Sequence, residues 1–233
     1  MKAIFFIFLL FFSPVNVVLT FDFPVEYQKA VSLIESGKRR EAAVQLKELI
    51  RRYPDWGLFY LEYVANCIYI ECPKDEIKNY LDKAESLIDN NPRLLFYKGL
   101  FLESENPDES LRLYDKAISL RPTYMEALIR ACILYSDKGD YTSALSYYDA
   151  ISEGNKNSAL VLKIVDLLVK KGDFDRAEKE LLWLVKNNPT NQLFLFKLHD
   201  FYNSRGDRDK AKVIMKKINN LSTHKKRIMR PLK

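Results

Sequence analysis

The sequence is poor in the residues that build catalytic and metal centres, with 2 histidines and 3 cysteines in 233 residues. A zinc site needs about four nitrogen, sulfur or oxygen ligands at short range. Cys67, Cys72 and Cys132 show no C-x-x-C spacing, and neither His199 nor His224 lies beside them in sequence. No metal site and no cofactor are expected. The chain also lacks a glycine-rich phosphate loop, a nucleophile–base pair and a paired-carboxylate motif, so it reads as a non-enzyme with no small-molecule substrate. Glycine (7) and proline (9) are scarce too, which excludes collagen-like and low-complexity chains and argues against a turn-dense β-sandwich. All three cysteines are expected to be small packing residues; the alternative, in an oxidising compartment, is a Cys67–Cys72 disulfide, which would have to span a helix end.

Hydrophobic residues, by contrast, make up 48% of the chain, enough for an ordered, helical protein with a sizeable core. The formal net charge is +6, from 37 Lys and Arg against 31 Asp and Glu. That surplus sits at the ends. Residues 21–224 carry as many acids as bases, while five of the last nine residues are basic. A nucleic-acid partner is therefore disfavoured along the body. The basic tail, residues 224–233 with Lys225, Lys226, Arg227, Arg230 and Lys233, is a candidate for electrostatic contact with an anionic membrane surface or an acidic partner.

At the other end, Lys2 precedes ten consecutive apolar residues, Ala3 to Phe12, and Ser13-Pro14 follows. A short positive region, a compact apolar run and a helix breaker form the layout of a secretory signal peptide, here residues 1–20 with cleavage after Thr20. The alternative is an uncleaved membrane anchor over residues 3–19, a little short for a membrane span. Either way the chain is expected to be exported to the periplasm or cell envelope.

A repeat governs the rest. Lys138 to Ala144 reads K-G-D-Y-T-S-A, Lys171 to Ala177 reads K-G-D-F-D-R-A, and Arg205 to Ala211 reads R-G-D-R-D-K-A. Gly139, Gly172 and Gly206 are 33 and 34 residues apart, and Gly37 opens a related G-K-R-R-E-A run 102 residues before Gly139. That interval is three periods of 34, filled by two degenerate units with turns at Cys72-Pro73 and Asn106-Pro107. Glycine suits the left-handed position that ends a helix, and the Asp after it can cap the next one. The small residue five positions on (Ala42, Ala144, Ala177, Ala211) lets two helices approach, and a large apolar residue follows one turn later (Leu46, Leu81, Tyr114, Tyr148, Leu181, Met215). Pro54, Pro122 and Pro189 close units. Apolar residues recur at three- and four-residue spacing, which predicts amphipathic helices.

This pattern resembles the tetratricopeptide repeat, a 34-residue helix-turn-helix unit. The resemblance implies an all-α, right-handed superhelical solenoid over residues 21–223. Its six units span about 23–56, 58–91, 92–124, 125–157, 158–191 and 192–223. It further implies a scaffold that binds a protein partner, a peptide or helix, on the face lined by the first helix of each pair. The family's groove positions fall on Tyr27, Phe59, Tyr63, Asn66, Phe96, Leu100, Ile129, Leu162 and Phe196. The family's carboxylate clamp is not implied, because its Lys and Asn positions hold Tyr27 and Val31. An amphipathic helix or apolar segment is the expected ligand.

Overall fold

The computed structural model describes residues 24–228, with side chains as far as Ser222. These residues form six helix pairs and no strand. The pairs are α1 (Val25–Glu35) with α2 (Arg39–Arg52), α3 (Gly57–Ile70) with α4 (Lys74–Leu87), and α5 (Pro92–Leu102) with α6 (Pro107–Leu120). They continue as α7 (Met125–Asp137) with α8 (Tyr141–Ala150), α9 (Ser158–Lys171) with α10 (Phe174–Asn187), and α11 (Gln192–Ser204) with α12 (Arg208–Ile228). Each helix packs on its partner, and each pair packs on the next, as expected of a stacked solenoid.

The turns follow from local chemistry. Gly37, Gly139, Gly172 and Gly206 all adopt φ between +77° and +79°, the left-handed region that side chains disfavour. The residue after each glycine donates its N–H to a carbonyl five positions back: Lys38 to Leu33, Asp140 to Tyr135, Asp173 to Leu168 and Asp207 to Tyr202. The Asp140 and Asp173 carboxylates then accept the N–H groups of Ser143 and Arg176, capping α8 and α10. Asn91, Asn106, Asn157 and Asn191 cap α5, α6, α9 and α11 in the same way.

The second turn corrects the expectation for the cysteines. Cys67 and Cys132 are fully buried, but Cys72 is only half-buried and forms a disulfide with Cys67. The helix end does not keep them apart. The Cys72 N–H bonds the Cys67 carbonyl at 3.1 Å, so the same tight turn brings their Cα atoms to 5.1 Å, inside the usual disulfide range. Glu71 occupies the glycine position of this turn, with φ +57°.

The small residues do close helix spacing. Ala42, Ala84, Ala117, Ala144 and Ala177 are completely buried. A Cβ on Gly99 would stand 2.6 Å from Cε1 of Tyr114, so α5 and α6 approach as they do only because Gly99 is bare. Leu46, Leu81, Tyr114, Tyr148 and Leu181 are buried as the core contacts of the second helices. Three apolar clusters result: one joins the first two pairs and the start of α5, one surrounds Phe96 and Tyr114, and one runs through the last three pairs.

The longest inter-pair connection, between α8 and α9, carries a short 3₁₀ turn, Glu153–Asn155. It delivers Lys156 into the interior. There its Nζ lies 3.3 Å from Glu180 Oε1 and 4.6 Å from the centre of the Tyr148 ring, while the Tyr148 hydroxyl donates to Glu180 at 2.6 Å.

Candidate partner-binding face

The first helices, α1, α3, α5, α7, α9 and α11, were expected to line a binding face. Glu62 of α3 accepts two hydrogen bonds from the Arg93 guanidinium of α5, at 2.7 and 3.1 Å, and the Tyr27 hydroxyl of α1 reaches the same carboxylate at 3.3 Å. Burial, and then the Glu62 charge, push the Tyr27 hydroxyl up to about 12. The pattern repeats along the stack. Glu103 pairs with Arg130, Asp137 with Lys163, and Asp166 with Lys197 at 2.7 Å. Arg130, Lys163 and Lys197, the cations nearest the groove positions, are thus each matched to an acid of the preceding unit.

Four of the nine expected groove residues are core. Phe59, Tyr63, Asn66 and Phe96 are at most 7% exposed. Phe59 stacks on Trp56 at 5.2 Å and meets Tyr27 at 5.5 Å. Tyr63 donates its hydroxyl to Glu76 of α4, and the Asn66 amide donates to the Arg39 carbonyl across to α2 at 2.7 Å. Phe59, Tyr63 and Asn66 hold helices together and offer no surface to a ligand. Tyr27, Leu100, Ile129 and Leu162 are half-buried and reachable. Phe196, 42% exposed, is open to solvent. His199 is half-buried beside Asp200, its Nδ1 2.9 Å from the carboxylate.

An open cleft of about 270 Å³ lies across α3, α5 and the start of α7. Phe96 and Tyr124, both buried, form its floor, with ring centres 5.3 Å apart. Tyr97 and Leu100 stand half-exposed above them, and Tyr69 at the end of α3 is 66% exposed. Arg93, Arg121 and Glu126 complete the lining. Arg121 stacks over Tyr124 at 5.2 Å, and Arg39 over Tyr69 at 4.1 Å. Burial raises the Tyr97 and Tyr124 hydroxyls above their usual value, so both stay neutral donors. Phe96 and Leu100 were expected here by position, whereas Tyr69, Arg93, Tyr97 and Tyr124 were not. The one signal in the sequence is the pair of adjacent rings at Phe96 and Tyr97.

Among the described residues no group of three or more His, Cys, Asp or Glu side chains could hold a metal ion. No helix among them is long and apolar enough to cross a membrane. Residues 1–20, expected as signal peptide or anchor, lie outside the described residues. So do Arg230 and Lys233 of the basic tail, while Lys225, Lys226 and Arg227 fall on the backbone of α12. No helix breaker intervenes before Pro231, which accounts for the continuation past His224.

Six stacked helix pairs with a cleft on the face of the first helices define a helical-repeat solenoid. Family models of the tetratricopeptide repeat match residues 25–55 and 162–211, and the chain is a tetratricopeptide-repeat protein. It is 27% identical over 133 residues to human tetratricopeptide repeat protein 21B, across 54% of this chain, and 27% identical over 117 residues to mouse tetratricopeptide repeat protein 21A. The chain spans only 10% and 9% of those two proteins. Among solved structures it is similar to Pseudomonas aeruginosa PilF (TM-score 0.68, 17% identity, 84% of this chain and 90% of that one). It is also similar to a tetratricopeptide repeat protein of Parabacteroides merdae (0.59, 20%, 84% and 80%) and to YrrB, described as having an unusual peptide-binding site (0.62, 14%, 78% and 97%). These likenesses establish the fold, which is in general a non-catalytic framework for protein interaction.

Proposed function

We propose that this protein is an exported scaffold that holds an apolar or aromatic segment of a partner protein in the cell envelope. The observation that carries the reading is the cleft over Phe96 and Tyr124, where Tyr69, Tyr97 and Leu100 are reachable and Arg39 and Arg121 stack on rings. Rings and Leu supply contact area, and the arginines can hydrogen-bond a partner's backbone carbonyls or acidic side chains. A disulfide supports an oxidising compartment, and the signal-like first 20 residues support export. Nucleic acid fits poorly, because Arg93, Arg130, Lys163 and Lys197 along the first helices are each matched to an acid.

The test is photo-crosslinking in the native envelope from a reactive residue placed at Leu100, followed by identification of the product. A defined partner is expected, with its yield falling at least tenfold in Tyr97→Ala while helix content is unchanged. Absence of any envelope crosslink rejects the reading.

A second reading is favoured by α12. Lys212, Lys216 and Lys217 are exposed, and Lys225, Lys226 and Arg227 continue the same helix. A retained anchor at residues 3–19 together with this basic helix would make a membrane-tethered organiser on anionic lipid. The mass of the native N-terminus separates the two, since a mature chain beginning at Phe21 has no anchor.

A further inference from the structure

The four glycine turns and the disulfide turn share one closing hydrogen bond, from an N–H to the carbonyl five positions back. In the glycine turns the left-handed residue has no side chain to clash. In the second unit that position is Glu71 at φ +57°, where a Cβ opposes the conformation. The closing bond is nevertheless made, from the Cys72 N–H to the Cys67 carbonyl at 3.1 Å. In turns of this type the two residues so linked commonly touch through apolar side chains. Here they are joined by a covalent bond. Tyr69 lies between them, on the last turn of α3, with its ring under Arg39 of α2 and against the cleft.

We infer that the Cys67–Cys72 disulfide replaces the turn glycine in the second unit, and that by holding the end of α3 it makes the placement of Tyr69 in the cleft depend on the redox state of this pair. The functional meaning rests on the proposed partner cleft; the turn itself does not. In reduction, a dithiol attacks the disulfide. Two electrons and two protons pass to the pair, leaving Cys67 and Cys72 as thiols and the reductant as a cyclic disulfide. Glu71 is then free to leave the left-handed region, and the last turn of α3 opens. Cys132, buried in the core of the last three pairs, stays a free thiol throughout.

The experiment compares the full chain and Glu71→Gly, each oxidised and after dithiothreitol, by thiol alkylation, hydrogen exchange and thermal unfolding. Unfolded in urea without reductant, the oxidised chain should alkylate at Cys132 alone. Reduction should speed exchange across residues 67–72 about tenfold and lower Tm by about 5 °C. In Glu71→Gly most of both changes should vanish, because glycine needs no staple. Three alkylatable thiols in the unreduced chain, exchange unmoved by reduction, or an equal response in Glu71→Gly would each overturn the inference. The crosslink from Leu100 reports separately. Its absence with a redox-responsive turn rejects the partner cleft and keeps the staple, whereas a crosslink with an unresponsive turn does the reverse.

Discussion

The interior of α1–α6 is lined by rings. Phe59, Tyr60, Tyr63, Phe96 and Tyr114 are all buried, and Gly99 is left bare so that Tyr114 can lie flat against α5. In α7–α12 the buried rings stand in α8 and α11 (Tyr148, Phe194, Phe201 and Tyr202), while the central helix α9 buries six aliphatic side chains, Leu160, Val161, Ile164, Val165, Leu167 and Leu168, and the polar exception is the Lys156–Glu180 pair. The turns divide in the same way. All three turns within the later pairs are glycine turns, whereas the earlier three use a glycine, a disulfide and Asn106-Pro107. Rings have fixed shapes and few good neighbours, so the earlier half departs from the repeat to accommodate them, and those departures leave the cleft. Around the aliphatic α9 the later half keeps the glycine turn in all three pairs and departs from the repeat only in the long α8–α9 connection.

The largest effect that would sharpen this contrast is expected at Lys156. Lys156→Met leaves the buried Glu180 carboxylate without its cation and should cost about 3 kcal/mol, a fall of roughly 10 °C in Tm by calorimetry. Adding Glu180→Leu should restore most of it. An unchanged Tm would mean that the later half is held by its aliphatic layers alone.

In the earlier half, Gly99→Ala drives a methyl into Tyr114 and should cost about 2 kcal/mol. Hydrogen exchange should rise in α5 and α6 and stay unchanged in α9. Equal loosening of both halves would break the division between them. Gly139→Ala should be milder, about 1 kcal/mol by urea unfolding, because nothing stands within 4 Å and only its φ of +79° resists.

The smallest effect concerns acid. Hydrogen bonds, from Lys47 first and then Tyr63, hold the Glu76 carboxyl below its ordinary value. Lys210, then Tyr202, does the same for Glu178. A carboxyl with a lowered folded-state pKa contributes stability that is full above its unfolded value and is lost as pH falls through the folded one. Tm should therefore hold from pH 7 to about 5 and decline below about 4.5. Lys47→Ala should flatten the part of that decline due to Glu76, and a Tm that rose on acidification would contradict the assignment.

The parts legible in the sequence were those imposed by backbone geometry. A left-handed glycine followed by a capping Asp, or an alanine where two helices touch, has few alternatives, so the period alone located Gly139, Asp140 and Ala144. The cleft was less legible. Phe96 and Tyr97 are adjacent on one helix, about 100° apart around its axis, and periodicity could not tell which ring faces inward. Packing by Tyr114 and Tyr124 decides it, taking Phe96 into the core and leaving Tyr97 at the surface. Phe59 and Tyr63 were drawn inside by Trp56 and by Tyr80 of the partner helix α4, ring contacts particular to this unit that the general repeat pattern does not encode. The disulfide ranked below simple packing because the turn that brings its cysteines together is itself unusual, with Glu71 where four other units have glycine.

The ion pairs between successive first helices have a direction. In every one the acid belongs to the earlier unit and the base to the later, from Glu62–Arg93 through Asp166–Lys197. A unit copied in tandem would bring its own base for the neighbour before it and its own acid for the neighbour after it. The stack could then grow by duplication without stranding a charge at the new joint, whereas a single unit set in end for end would meet acid with acid on one side and base with base on the other.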